Sequence, residues 1–384
     1  MYETEYITVS LTGPDSHTIV REPGVGSLTL GPADSRGPRS DLTVGANDRL
    51  DWSVFDPMTV PAGYPWPRWF RYAGNDTGFL AWSRERPVET FHWEPTGPAT
   101  VDASGSRIGR LTLTLRTDPL HIVLPGAEVG CLEVAVIGDA GLFHPELAAD
   151  ATCPPLRFVP DTGPSPTAPP IALPVLDRLS GATNVDVWTT PLRQAFDCAS
   201  LLQFPAIRNL SLAGQLAGLS RLANLTELSR LQLRYCPDLS ELPPLASWPM
   251  LGGLIVSNVD EVRGRRMRTE LKRFPWPNSW VRQLRKPEWF ATEYGLPFTE
   301  WPSATARKAR KAFDVAATAV AGAGSSDDVE AAVRRFTAAL NDLPGLFTIE
   351  REDAAEAVTL IAAKAAIEVG PEQALAWFDA ERDF

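Results

Sequence analysis

The chain lacks the features of an exported, membrane-spanning or disulfide-stabilised protein. Its 384 residues include four widely spaced cysteines with no C-x-x-C pair: Cys131, Cys153, Cys198 and Cys236. The N-terminal residues do not combine a basic start with an apolar core, so we expect no signal peptide. No run of about 18 apolar residues occurs. We therefore expect a cytoplasmic protein with reduced, buried thiols and no membrane segment.

Catalytic and cofactor motifs are missing as well. A Walker loop, a nucleophile elbow, a complete dinucleotide-binding glycine motif and the H-E-x-x-H zinc motif are absent. The four histidines lie in different segments, and only His92, between two aromatic residues, is kept as a candidate. A histidine packed in a strand is its simpler interpretation. We expect no enzyme activity, no metal and no cofactor.

Positive charge is in deficit. The 36 lysines and arginines against 47 aspartates and glutamates give a net charge of −11, which argues against nucleic acid as the main ligand. An apolar fraction of 44% and a charged fraction of 22% are typical of a globular protein, and the length suits two or three domains. The 35 prolines and 28 glycines imply many turns.

Residues 1–125 are predicted to form a β-rich domain. Ser27–Leu30 and Arg110–Leu115 alternate apolar and polar residues with the period of a strand. Eleven aromatic residues lie between Trp52 and Trp93. We favour a core built from these rings over an exposed groove for a peptide or a sugar.

Residues 126–260 repeat an apolar pattern. In the tightest unit, Leu228–Cys236, apolar residues take positions 1, 4 and 6 and a cysteine takes position 9. Units in the same frame have these residues at the fourth position: Leu132, Leu156, Val185, Leu210, Leu231 and Leu254. Their separations are 24, 29, 25, 21 and 23 residues.

This pattern resembles the L-x-x-L-x-L-x-x-N/C signature of leucine-rich repeats, whose period is 20–29 residues. The resemblance implies an α/β chain with a short solenoid, flanked by the β-rich N-terminal domain and an α-helical C-terminal domain. Only one unit has cysteine at the ninth position, and connectors such as Pro160–Pro174 favour extended or 3-10 segments. We expect a short, irregular solenoid of bacterial type, in which Cys153 and Cys236 point inward.

Residues 261–301 form a basic, tryptophan-rich junction. We favour a cap that closes the end of the solenoid, with the tryptophans packed against its core and the arginines in water. The alternative is a patch for an anionic partner, such as nucleic acid, because arginines interleaved with aromatic rings suit backbone contacts and stacking. Its candidate residues are Arg263, Arg265, Arg266, Arg268, Lys272 and Arg273.

Residues 302–384 are predicted to be helical, with helices near 303–321, 326–341, 352–369 and 371–381. Ser325 and the acids after it suit a helix start, and Glu350, Glu352 and Asp353 suit another. This segment is similar to the C-terminal helical domain of uncharacterised bacterial repeat proteins, a resemblance that implies no activity.

Stacked repeats present a parallel sheet on a concave face, where side chains between the apolar positions contact a partner. In this frame those residues are Arg157, Asp186, Trp188, Arg208, Asn209, Arg230, Gln232, Arg234 and Tyr235. Arginine and aromatic residues dominate the energetics of interfaces. The sequence therefore predicts a non-enzymatic interaction protein whose partner has an acidic patch, in a toxin-neutralising or scaffolding role.

Two other functions stay open. One is an enzyme whose site lies in the N-terminal domain and has a motif of another kind. The other is a nucleic-acid binder that uses the basic segment 263–286.

Overall fold

The computed structural model describes residues 4–33, 40–60 and 62–384. Within them the strands are β1 (Glu5–Val9), β2 (His17–Arg21), β3 (Ser27–Gly31), β4 (Leu42–Thr43), β5 (Trp69–Ala73), β6 (Val88–Glu94), β7 (Ala99–Asp102), β8 (Ile108–Leu115), β9 (Leu120–Leu124), β10 (Glu133–Gly138), β11 (Phe143–Leu147), β12 (Leu156–Pro160), β13 (Asn184–Trp188), β14 (Phe196–Asp197), β15 (Asn209–Ala213), β16 (Leu216–Ala217), β17 (Arg230–Arg234), β18 (Gly253–Ser257), β19 (Val259–Asp260), β20 (Trp280–Val281) and β21 (Leu284–Arg285).

The helices in the same residues are α1 (Gly78–Trp82), α2 (Glu261–Leu271), α3 (Pro287–Thr292), α4 (Ser303–Ala321), α5 (Ser326–Asn341), α6 (Thr348–Ala362) and α7 (Pro371–Glu381). Short 3-10 helices such as Cys198–Gln203 and Leu219–Asn224 connect the strands of the repeat region. They agree with the expectation from its proline-rich connectors. The chain is thus a mixed α/β protein, with a long parallel sheet and a helical C-terminal region.

Twelve strands form one parallel sheet, the main sheet, in the order β4-β3-β5-β6-β8-β10-β12-β13-β15-β17-β18-β20. From β3 onward the strands follow one another in chain order. Between β6 and β12 the chain alternates between the main sheet and a second parallel sheet, which consists of β7, β9 and β11. Parallel strands need such crossover connections because a tight turn cannot join them.

Two rows of buried apolar side chains run across the main sheet, and residues in each row are paired in register. One row is Leu28, Phe70, Phe91, Leu111, Val134, Leu156, Val185, Leu210, Leu231 and Leu254. The other lies two residues further along each strand, from Leu30 to Val256. No member of either row is more than 3% exposed. Alternate residues of a strand share a face, so both rows pack into one core.

The frame predicted for the unit containing Leu132 is wrong by two residues. Leu156 pairs with Val134 and not with Leu132, and Leu132 is 62% exposed. Cys131, Val134 and Val136 take the inward positions in this unit. Val129, Leu132 and Val134 have the apolar spacing of the repeat. Leucine also occurs on protein surfaces, so this spacing alone did not show that Leu132 is exposed.

The boundary drawn at residue 125 falls inside the main sheet. Strands on both sides of it, β8 and β10, pair over six residues from Arg110↔Glu133 to Leu115↔Gly138. The structure divides the chain into two compact units, residues 1–290 and residues 291–384. The N-terminal region therefore shares one sheet and one core with the repeat region, and residues 261–290 belong to the same unit.

Most of the N-terminal aromatic cluster is core, as favoured from the sequence, but Tyr64 is 68% exposed and Trp69 is 42% exposed. Trp52, Phe55, Phe70, Tyr72, Phe79, Phe91 and Trp93 are at most 3% exposed. The rings of Phe79 and Phe91 stack with their centroids 4.0 Å apart. Buried indole groups find partners, since the Trp52 Nε1–H donates to Asp76 Oδ1 at 2.7 Å.

Three successive strands of the main sheet, β15, β17 and β18, are each followed by a turn whose first residue has a left-handed backbone conformation. The residues that follow β15, β17 and β18 are Gly214, Tyr235 and Asn258, with φ of 95°, 52° and 52°. At Gly214 a Cβ atom would collide with the carbonyl oxygen of Thr189. Glycine relieves that crowding, and Asn tolerates the same dihedral angles.

We call residues 291–384 the helical unit. Its helices agree with those predicted from the sequence, apart from the third. Helices α4, α5 and α7 have the expected bounds, and Ser325 forms a capping box with Asp328 at the start of α5. Helix α6 begins at Thr348, four residues before the predicted start, and ends at Ala362. The Glu350 carboxylate accepts from the Phe347 N–H at 3.1 Å and moves this start upstream.

Candidate binding face of the main sheet

The main sheet has a polar face opposite its buried rows, which we call the outer face. Its central row is Thr29, Arg71, His92, Thr112, Ala135, Arg157, Asp186, Ser211, Gln232, Ile255 and Trp280. Parallel strands lie about 4.8 Å apart, so side chains of neighbouring strands touch along this row. Whether a charged side chain on this face is neutralised therefore depends on its neighbours on the adjacent strands.

Charges on the first part of the outer face pair with one another. Glu94 lies 2.9 Å from Arg116 and 3.6 Å from Arg71. Arg157 contacts Glu133 at 3.1 Å and Asp186 at 2.8 Å. Two of the predicted partner-binding residues, Arg157 and Asp186, thus neutralise each other.

Cations on the last part of the outer face have no such compensation. Arg208, Arg230 and Arg234 have no acidic group within ion-pair distance in the part of the chain that the structure describes. Arg208 and Arg230 are exposed. When the Gln232 amide oxygen faces Arg234, it accepts from the guanidinium at 2.8 Å, which holds that side chain against the sheet.

Aromatic rings accompany these arginines. The rings of Trp188 and Tyr235 are tilted by 37° with centroids 6.3 Å apart. The guanidinium of Arg282 lies 5.3 Å from the ring centroid of Trp280, a cation–π distance. The end of the outer face thus combines exposed positive charge with large flat rings.

Two shallow grooves cross this end of the outer face. One, of about 140 Å³, is lined by Asn184, Asn209 and Gln232 and extends to Glu133 and Asp186 of the paired part. The other, of about 400 Å³, has Gly252 and Gly253 in its floor, and its lining also includes Asn209, Arg230 and Asn278. The Asn209 amide donates to Asn184 Oδ1 at 2.5 Å and links strands β13 and β15. Both grooves offer hydrogen-bonding groups next to a cation.

The predicted residues therefore divide by their charge contacts. Trp188, Asn209, Arg230, Gln232, Arg234 and Tyr235 lie at the end of the face, and Arg208 is exposed just before β15. Arg157 and Asp186 pair with each other, although Asp186 also lines the smaller groove. Sequence reasoning missed Trp280, Arg282 and Asn278, which belong to the same surface. The strand β20 has only two residues, so the apolar spacing there does not reveal a further unit and the sequence predicts only the basic junction.

The basic junction uses half of its predicted anion-binding residues in internal contacts. Arg263 is buried, and it contacts Glu270 at 2.6 Å and the carbonyl of Pro243 at 3.0 Å. Arg265 pairs with Glu261, and Arg268 donates to the Val281 carbonyl. Arg265 and Arg268 stay exposed despite these contacts, and Arg266, Lys272 and Arg273 are exposed with no ion pair among the residues that the structure describes. Met267, fully buried in α2, and Trp276 pack into the main core, whereas Trp301, expected there too, belongs to the core of residues 291–384.

His92 lies in the paired part of the outer face, and its Nε2 is 2.6 Å from Thr114 Oγ1. The pKa of His92 is lowered to about 4, first by burial and then by the nearby Arg71 and Arg116, with Glu94 opposing them. His92 is therefore neutral at pH 7.

The four cysteines are free and buried, as expected. Burial raises the pKa of the Cys131 thiol to about 11 and the pKa of the Cys153 and Cys236 thiols to about 12. A protonated, buried thiol is a poor nucleophile.

Comparison with family models, with curated proteins and with solved structures found no match to this chain. Among the described residues, no helix has the length and apolarity needed to span a bilayer. In the same residues, no three His, Cys, Asp or Glu side chains are grouped so that they could hold a metal ion.

Proposed function

We propose that residues 1–290 form a solenoid of the leucine-rich-repeat type, and that the end of its outer face binds an acidic segment of a partner protein. The solenoid is supported by the in-register rows of the main sheet and by the alternation of the chain between two parallel sheets. Stacked repeats bury their apolar rows and leave one face of the sheet for binding.

The observation that carries the binding proposal is the uneven charge of the outer face. Arg71, Arg116 and Arg157 lie against acids, whereas Arg208, Arg230 and Arg234 do not. In a chain of net charge −11, uncompensated arginines beside Trp188 and Tyr235 attract an acidic segment and supply the residue types that dominate interface energies. Binding of this type suits a toxin-neutralising or scaffolding protein.

The proposed location is the cytoplasm. Four protonated, unpaired thiols within one core are typical of a reducing compartment, where disulfides do not form.

A matched pair of charge-reversal variants tests the binding face. Arg208→Glu/Arg230→Glu/Arg234→Glu changes the outer face, and Arg178→Glu/Arg193→Glu/Arg221→Glu makes the same charge change at exposed connector positions. Tagged forms of both would be compared with the wild type in affinity capture from the native cytoplasm with mass spectrometry. The wild type and the connector variant should retain one stoichiometric protein, and the outer-face variant should lose it by more than about tenfold.

Equal retention by the outer-face variant would refute this site. Nucleic acid in place of a protein, with affinity that falls steeply as salt rises, would shift the function to Arg266, Lys272 and Arg273.

A further inference from the structure

The helical unit has an apolar groove that its own chain leaves open. It is lined by one face of α4 and one face of α5, and its volume is about 460 Å³. Alanines form much of its wall, and Val315 is 63% exposed there. Leu343, just after α5, closes one end. Small wall residues let another chain approach the helix backbones closely.

The rim of this groove is basic. Lys308 and Lys311 of α4 and Arg335 of α5 are exposed, and none has an ion pair among the residues that the structure describes. Asp342 is the acid on the same rim. The groove therefore combines an apolar wall with a net positive edge, although the whole chain carries −11.

The start of α6 presents the opposite combination. Phe347 is 73% exposed and Ile349 is 69% exposed, which is unusual for large apolar side chains placed so close together. Glu350-Arg351-Glu352-Asp353 follow at once. Glu350 accepts from the Phe347 N–H, Asp353 accepts from the Trp301 indole N–H at 2.8 Å, and Glu352 is exposed. We call Phe347, Ile349 and Glu352 the α6 knob.

We propose that the groove between α4 and α5 receives the α6 knob of a second copy of this chain. Phe347 and Ile349 would enter the apolar groove, and Glu352 would meet the basic rim. Leu343 at the end of the groove precedes Phe347 by four residues, so groove and knob lie next to each other on the helical unit. A two-fold axis then lets each copy fill the groove of the other, which closes a dimer and leaves neither surface for further growth.

This dimer does not depend on the partner site of the main sheet, because the two surfaces have no residue in common. A second copy is favoured over an unrelated peptide because the chain itself supplies both complementary surfaces.

Sedimentation velocity of the full chain between 1 and 100 µM tests the proposal. The wild type should dimerise. Phe347→Ser/Ile349→Ser should weaken the dimer by roughly 10- to 100-fold for each buried side chain, and Ser is a good N-cap at position 347, so the fold should persist. The matched control Val175→Ser/Met250→Ser removes exposed apolar side chains outside the helical unit and should leave the dimer intact.

A wild type that is monomeric at 100 µM overturns the proposal, and so does a dimer that survives Phe347→Ser/Ile349→Ser. Charge reversal gives an independent check. Arg335→Glu and Glu352→Arg should each weaken the dimer about tenfold, and a mixture of the two variants should recover part of that loss. If the mixture is as weak as each variant alone, rim and knob do not meet.

Discussion

His92 illustrates how burial controls one side chain. The lowered pKa of about 4 arises first from desolvation of the ring and then from Arg71 and Arg116. Its ordinary value of 6.5 applies to the unfolded chain. The unfolded state therefore binds a proton between pH 6.5 and 4 that the folded state does not bind, and protonation favours unfolding in this window.

We predict that His92 makes the free energy of unfolding fall as pH drops from 6.5 to 4, by at most about 3 kcal/mol. Urea denaturation of the wild type and of His92→Gln at pH 7.5 and 4.5 would measure it. The variant keeps a partner for Thr114 and should lose less stability at pH 4.5 than the wild type. An NMR titration of the ring with a midpoint near 6.5 would contradict the burial argument.

The pairing of the single strand β10 with its two neighbours shows which apolar residues of this unit face the core. Leu132 and Val134 are both apolar and only two residues apart, but Leu132 precedes the strand and is exposed whereas Val134 is fully buried. Pairing of Val134 with Leu111 on one side and Leu156 on the other fixes it in the core row.

We predict that Val134→Asp lowers the free energy of unfolding by more than about 3 kcal/mol, because it buries a charge without a partner. The same change at its neighbour, Leu132→Asp, should cost no more than about 0.5 kcal/mol, since an exposed position keeps its water. Urea denaturation of the two variants gives the comparison. A larger loss for Leu132→Asp would restore the frame expected from the sequence.

The whole molecule divides after residue 290 and not at residue 125. Residues 291–384 have their own core, in which Phe313, Phe336 and Phe378 are buried. Residues on both sides of position 125 instead share the continuous sheet and its aromatic and aliphatic rows.

We predict that residues 291–384 fold alone and that residues 126–260 do not. The first fragment keeps a complete core, whereas the second exposes the open edge of β10 and half of its apolar neighbours. Circular dichroism during thermal unfolding should show a cooperative helical transition for the first fragment and none for the second. A cooperative transition in 126–260 would support a domain boundary at 125.

How much the sequence predicted depended on the range of the interactions. The helices of residues 303–341 and 371–381 were predictable because caps and the spacing of apolar residues act within a few positions. The frame from Leu156 to Leu254 was predictable because each unit repeats the same short pattern.

By itself, then, the sequence determined a helical C-terminal region, the burial of most of the aromatic cluster and the frame of the strands that carry Leu156 to Leu254. The tertiary structure alone decided that the sheet extends back to β3, that Val134 replaces Leu132 in the core, and that Arg157 is neutralised. Arg157 lies 24 residues from Glu133 and 29 from Asp186, yet sheet register brings all three side chains together. Strand spacing is constant near 4.8 Å while the chain between strands varies in length, so local patterns cannot specify such contacts.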